Sequence, residues 1–395
     1  MKKAILFLFA LPIVAALMWH WTVGVQPTAA QTIPADRIVP GEKIVGGPYV
    51  VNAGPREATL MWVVQTAEAS VGTTPEKMSK TIPDLRITKI ALTGLKPGNT
   101  YYYQSFPGDA GKGSFKTPPS GPARFQFVVF GDTRTRHDVH RMVIGGILKY
   151  ANPDFVMHTG DLVEDGGDNS LWPIFFDAER ELLRKTAFFP ALGNHERNAS
   201  NYYDYMDAKP YYSFNWGSAH FAVIDSDIAN FGPTEAERTS FWQQEVNWLQ
   251  ADLRDAQKAD LRFVFAHHPP ITAVKRRQGD NPHMTALEPM FEEFRVSAAF
   301  FGHDHNYQHY VKNGISYFVT GGGGAPLYDV DSPPADITKK VESTENFVMV
   351  NVDGGKASVE ARKPDGQILD TAEIGTSKPG ESSKSNSAAN QPTSR

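Results

Sequence analysis

The 395-residue sequence contains no cysteine. Disulfides, Cys-ligated zinc, thiol catalysis and lipid attachment at an N-terminal Cys are excluded, while the compartment stays open, since export without disulfides needs no oxidative folding. Positive charge is not in excess. Lys and Arg number 39 against 44 Asp and Glu, giving a formal net charge of −5 and a pI of about 6.2. That balance does not suggest a nucleic-acid binder, which would usually carry a basic face, so no nucleic-acid partner is expected. There is no internal repeat and no P-loop pattern. What is present is a globular composition, 41% apolar and 21% charged, at a length that suits two domains plus ends.

The two ends differ from the rest. Lys2 and Lys3 precede an almost wholly apolar run, Ala4 to Trp21, broken by Pro12 and His20, and Thr28, Ala29 and Ala30 precede Gln31. Residues 1–30 are expected to be a cleaved signal peptide or an uncleaved N-terminal anchor, since the run lies near the ~18-residue lower limit for crossing a bilayer. Either way the chain is expected to be exported, periplasmic or secreted, and an uncleaved anchor would tie it to a membrane. Residues 376–395 are rich in Ser, Pro, Asn, Gly and Lys and read as a disordered tail.

From about Ile44 to Thr117 the pattern is all-β. Tyr49–Val51, Ala58–Val64, Thr88–Leu92 and Thr100–Gln104 are rich in β-branched and aromatic residues and bounded by turn residues, as in a small β-sandwich. Thr117-Pro118-Pro119-Ser120-Gly121-Pro122 reads as a stiff linker. From Arg124 short apolar strands alternate with helical stretches such as Asp138–Tyr150, Trp172–Leu183 and Ser240–Gln257, which argues for a layered α/β domain. Asn346–Val352 and Ala357–Ala361, joined through Asp353-Gly354-Gly355, read as a terminal hairpin.

Five of the apolar strands run directly into metal-binding residue types. Phe125–Phe130 leads to Gly131-Asp132, Asp154–His158 to Gly160-Asp161, and Ala187–Leu192 to Gly193-Asn194-His195-Glu196. Arg262–Ala266 leads to His267-His268-Pro269, and Ala298–Phe301 to Gly302-His303-Asp304-His305. Ligands of open α/β sheets gather beyond the carboxyl ends of strands, so these residues are expected in one cleft. Carboxylates and imidazoles without thiolates suit Mn, Fe or Zn. Taken singly, Gly-Asp is a common turn and His267 an ordinary strand-end histidine. In order at five strand ends, they point to a metal site.

These pieces resemble the ordered signature of the calcineurin-like metallophosphoesterases, over about Arg124 to Gly324. The nearest likeness within the family is the purple-acid-phosphatase-like branch. Gly47-Pro48-Tyr49-Val50 and Leu92–Tyr103 look like that branch's fibronectin-III-like domain. The resemblance implies an α/β fold: an N-terminal β-sandwich at residues 40–118, then a four-layer α/β/β/α metallophosphoesterase domain at 124–365. It implies two metal ions, Asp161 bridging both, Asp132 and His305 on the first, and Asn194, His267 and His303 on the second. His195 would face the phosphate, and a metal-bound hydroxide would attack phosphorus.

Two positions depart from the family. Glu164 stands where purple acid phosphatases carry a tyrosine ligand to ferric iron, so no purple colour is expected. Arg134 stands where other branches carry a further histidine. The first ion is left with three protein ligands, and Glu164 or a water would complete its shell; Glu164 also reads as a solvated loop carboxylate. Arg134 suits a substrate-phosphate clamp or, equally, an ion pair. His140 reads as a core or capping residue, Asn306, Tyr307 and His309 as candidate pocket lining, and Trp172, Trp216, Trp242 and Trp248 as core anchors. The favoured activity is hydrolysis of phosphate monoesters, of a small molecule or a protein. A phosphodiesterase acting on nucleotides or lipid headgroups is the alternative. A noncatalytic binding protein would be expected to have lost ligands, and the set is intact.

Overall fold

The computed structural model describes residues 42–375, so the expectations for residues 1–30 and 376–395 lie outside the described residues. In chain order the elements are β1 (Lys43–Val51), β2 (Glu57–Gly72), β3 (Met78–Thr93), β4 (Thr100–Gln104), β5 (Lys112–Lys116), β6 (Arg124–Phe130), α1 (His137–Tyr150), β7 (Phe155–His158), α2 (Trp172–Leu183), β8 (Ala187–Pro190), α3 (Ser200–Met206), β9 (Tyr212–Trp216), β10 (Ala219–Val223), α4 (Glu235–Asp255), β11 (Leu261–Phe265), α5 (Pro282–Thr285), α6 (Glu288–Glu293), β12 (Ala298–Phe301), β13 (Tyr307–Lys312), β14 (Ile315–Thr320), β15 (Thr338–Glu342), β16 (Phe347–Asp353), β17 (Lys356–Arg362) and β18 (Ile368–Gly375).

Among the described residues the strands form a nine-stranded sheet, β18-β17-β16-β6-β7-β8-β1-β2-β3, a seven-stranded sheet, β15-β13-β14-β12-β11-β10-β9, and the β4-β5 pair. The period-2 alternation of side chains builds the layers. Phe125, Phe127 and Val129 of β6 join Phe221, Phe263 and Phe300 in the core between the two large sheets. Val128 and Phe130 point the other way and pack with Val143, Ile147 and Phe175 of α1 and α2. On the far side, Val264 and Phe301 pack with Leu249, Leu253 and Phe291 of α4 and α6. The result is the expected α/β/β/α stack. Its central layer is strongly aromatic, with Phe127 stacked on Phe155 at 5.2 Å and Phe265 on Phe300 at 5.1 Å.

The N-terminal strands are present, but the sheet crosses the expected linker. β1 pairs in parallel with β8 through Val50 and Ala187. Tyr49 stacks on Phe176 at 5.1 Å and donates its hydroxyl to the Tyr205 carbonyl. Val50, Leu60, Trp62 and Val64 face the inter-sheet core, whereas Tyr49, Met61 and Val63 face the helix side. Burial on both faces makes β1 and β2 interior strands of the large sheet. A second layer exists where Phe115, Tyr101 and Tyr103 of β4-β5 pack against that core. Thr117, at the expected boundary, is buried and bonded to Asn99 and Lys96. At the other end β18 pairs with β17, so the sheet continues past residue 365 to Gly375. The Asp353 turn closes the β16-β17 hairpin, Asp353 opposite Lys356.

Candidate metal centre

In the large sheet β6, β7 and β8 run parallel, as do β10, β11, β12 and β14 in the facing sheet. The two sheets thus direct carboxyl-end loops to one edge, and the five motifs meet there. Asp132, Asp161 and His267 bring donor atoms within 4.8 Å of one another. Asp132, Asp161 and His303 have φ of 58°, 57° and 69°, a region that side chains other than glycine's rarely adopt. Such conformations persist where the surroundings over-determine them, typically at functional sites. The glycines are needed for close approach as much as for turning. A Cβ on Gly193 would lie 2.2 Å from the Asp161 nitrogen, and one on Gly302 would lie 2.5 Å from Asp132 Oδ2.

The histidines are oriented from behind. Nδ1–H of His267 donates to the Thr159 carbonyl at 2.8 Å, and Nδ1–H of His305 donates to the Pro326 carbonyl at 2.7 Å. Each leaves its Nε2 lone pair facing the cluster, the arrangement that metal-ligating histidines use. Burial pushes His267 down to about 3 and His305 down to about 4, which keeps both rings neutral and able to ligate. Burial and the neighbouring Asp161 push Asp132 well above the carboxylate range. A nearby cation would relieve that repulsion.

Spacing tests the fit to an ion. Asn194 Oδ1 lies 3.0 Å from His267 Nε2 and 3.0 Å from His303 Nδ1, and those nitrogens are 3.2 Å apart. His267 Nε2 is 3.4 Å from Asp161 Oδ1. Ligands about 2.0–2.1 Å from one ion are separated by about 2.9–3.4 Å in tetrahedral or octahedral shells. Asn194, His267 and His303 therefore suit one ion, and Asp161 adjoins them through His267. Asp132 Oδ1 and His305 Nε2 are 3.5 Å apart and form the start of a second set that Asp161 can share.

The remaining candidates surround this cluster. His195 donates its backbone N–H to Asp161 Oδ1 at 3.0 Å and its Nδ1–H to the Glu164 carbonyl at 2.8 Å. Its Nε2 is 4.0 Å from Asp161 Oδ2. Arg134 places Nε 3.3 Å from Asp161 Oδ2 and bonds the Glu164 carboxylate through Nη1. Glu164 is thus turned toward Arg134.

A calcineurin-like phosphoesterase family model matches residues 125–307, the stretch that carries all five motifs. This chain contains a calcineurin-like phosphoesterase domain. Over 268 residues it is 27% identical to purple acid phosphatase 21 of Arabidopsis thaliana, covering 60% of this chain and 58% of that protein. It is 23% identical to a nucleotide pyrophosphatase/phosphodiesterase of Hordeum vulgare over 223 residues, 45% of this chain and 59% of that one. The chain thus spans less than two thirds of these relatives' length. In fold it is similar to the purple acid phosphatase PPD1 of yellow lupin, Lupinus luteus, with a TM-score of 0.65, 19% identity, and coverage of 83% of this chain and 74% of that one.

Arg277 and Tyr328, which belong to none of the five motifs, also reach the site. Arg277 sets Nη1 against His303 Nε2, places its guanidinium over the Tyr328 ring and holds Nε 3.5 Å from Asp304 Oδ1. Tyr328 in turn stacks on His305 at 4.0 Å. The basic run Lys275-Arg276-Arg277, close after His267, was the available signal. Glu196 is completely buried and binds the Asp161 loop. Gly321–Gly324 passes close to the site, since Gly323 donates to the Gly131 carbonyl at 3.0 Å. Other candidates turn away. His140 pairs with Glu179 in the core at 2.7 Å. Tyr307 and His309 both bond Asp370, and Asn306 bonds the Tyr328 carbonyl; all three are buried, not pocket lining. Trp172 and Trp216 are buried core residues, and Trp242 and Trp248 pack beside α4's core.

Proposed function

We propose that this chain is an exported, metal-dependent phosphatase that hydrolyses phosphate monoesters of a small molecule or a protein at a two-ion centre. The observation that carries the reading is the tight grouping of Asn194, His267 and His303, with Asp161 beside His267 and Asp132 and His305 alongside. Asp161 would serve both ions, Asp132 and His305 the first, and Asn194, His267 and His303 the second. Oxygen and imidazole donors suit iron, manganese or zinc. When bound, the ions supply an acidified water at neutral pH and offset charge on the phosphoryl oxygens.

The chain's own groups handle orientation and the proton. With Nδ1–H given to the Glu164 carbonyl, His195 presents Nε2 to the site. In its protonated form that nitrogen is placed to stabilise a phosphoryl oxygen or to pass its proton to the leaving oxygen. Arg134 on the Asp161 side and Arg277 on the His303 side offer guanidinium donors to phosphoryl oxygens. A monoester has one more terminal oxygen and one more negative charge than a diester, and two guanidiniums favour both. Export rests on Lys2, Lys3 and the apolar run that follows. Among the described residues no helix is long and apolar enough to cross a membrane.

The test is metal content and hydrolysis together. The chain from Gln31 onward is reconstituted with Mn, Zn or Fe and assayed on p-nitrophenyl phosphate and on bis-p-nitrophenyl phosphate. About two ions per chain, with monoester turnover that collapses in Asn194→Ala and His195→Ala, is the expected result. Preferential diester turnover would favour the activity named for the Hordeum vulgare relative. Failure to bind metal would end the reading.

A further inference from the structure

We infer that Glu164 is a positioning residue that holds the site's histidine and one of its arginines in place for the substrate phosphate, and that it is not a ligand to the metal. The inference rests on the phosphatase reading above for the roles of His195 and Arg134. One residue makes both contacts. Its carbonyl accepts Nδ1–H of His195 at 2.8 Å, and its carboxylate lies 3.7 Å from the same nitrogen. The carboxylate also accepts a charge-assisted bond from Nη1 of Arg134. Arg134 is thereby tied by one hydrogen bond, with Nε in ion-pair range of Asp161 Oδ2 at 3.3 Å, and its side chain is only 11% exposed.

The surrounding loops make Glu164 a firm support. Gly166 donates its N–H to the His195 carbonyl at 3.0 Å, Trp172 donates Nε1–H to the Gly166 carbonyl at 3.0 Å, and Arg197 bonds Asp165 at 2.9 Å. The segment with Glu164 and the segment with His195 are thus tied to each other by hydrogen bonds. A guanidinium whose fork is already aimed loses little rotamer freedom when it meets a phosphate oxygen. The Glu164 carboxylate, 46% exposed, is committed to Arg134 and belongs neither to the Asp132, Asp161 and His267 group nor to the His267, His268 and His303 group, whose ligand atoms lie within 4.8 Å of one another.

The experiment uses the full chain loaded with metal. Orthophosphate affinity is measured by calorimetry, with kcat and KM for p-nitrophenyl phosphate beside it, for wild type, Glu164→Ala, Glu164→Gln, Arg134→Ala and the Arg134→Ala, Glu164→Ala double variant. Glu164→Ala is expected to keep the wild-type metal content and weaken phosphate binding and KM by roughly tenfold. Glu164→Gln, whose amide oxygen still accepts from Arg134, restores most of that loss. In the Arg134→Ala background the Glu164 change adds little, because the two act through one contact. Loss of an ion in Glu164→Ala, unchanged phosphate affinity, or fully additive losses would each overturn the inference. If wild type binds metal but turns over no phosphate ester, the phosphatase reading fails, and phosphate affinity still decides the role of Glu164.

Discussion

Glu196 accepts the backbone N–H of Asp161 at 2.9 Å. The same carboxylate takes the N–H groups of Leu162, Val163 and Gly193 at 2.7, 3.2 and 2.7 Å. Four donors on one buried side chain shape the loop that presents Asp161. Glu196→Gln keeps the size but turns an amide N–H₂ toward backbone donors. It is expected to lower stability by about 2–4 kcal/mol and to weaken metal binding, read from thermal unfolding and from ions retained after dialysis. A wild-type melting temperature would show that the four bonds contribute little.

Gly193 has no room for a side chain, because an added Cβ would lie 2.3 Å from Asp161 Oδ1. Gly193→Ala must displace the shared carboxylate or the Asn194 turn. Metal affinity should fall by about 10–100-fold, the scale of perturbing groups that orient ligands. Elemental analysis after dialysis against a weak chelator measures it, and full retention would argue that the loop adjusts freely.

Arg277 is held by Tyr328 and Asp304 beside His303. Arg277→Met removes the charge and keeps much of the bulk. KM for the monoester should rise roughly tenfold at unchanged metal content, with the diester much less affected. Equal losses on both substrates would remove Arg277 from the selectivity argument.

Asp225 follows β10 and is fully buried, with Oδ2 lacking a hydrogen-bond partner. Burial raises its carboxyl to about 7. A group raised on folding adds stability that is complete below its unfolded value of about 3.9 and lost as pH rises through the folded value. Asp225→Asn should therefore be near neutral at about pH 4 and stabilising by about 1–3 kcal/mol at about pH 8. Melting temperatures at the two pH values measure it; an equal shift at both would contradict the assignment.

Much of the site was legible because its chemistry is local. Gly131-Asp132, Gly160-Asp161, Gly193-Asn194-His195-Glu196 and Gly302-His303-Asp304-His305 are contiguous motifs at the ends of apolar strands. The basic run at Lys275-Arg276-Arg277 was the one hint of Arg277, and Tyr328 had none, because the two meet at the site only when their loops fold together. Glu196 was visible inside its motif, but its work is done on backbone groups about 35 residues away, which no spacing rule discloses. The N-terminal strands were legible as strands, not as neighbours. The unbroken apolar run Leu60–Val64 was read as a sandwich strand, and it is the structure that buries it on both faces.

The sequence by itself determined the layered α/β pattern, the order of the five motifs and the donor types, since periodicity and side-chain chemistry act over a few residues. Only the tertiary structure decided which partners those groups have. It joined β1 to β8, turned Glu164 toward Arg134, and set Arg277 against His303. Such pairings depend on which strand edges and loops the closed fold brings together. The local pattern is silent on that, because the free energy that selects them comes from burial across the whole chain.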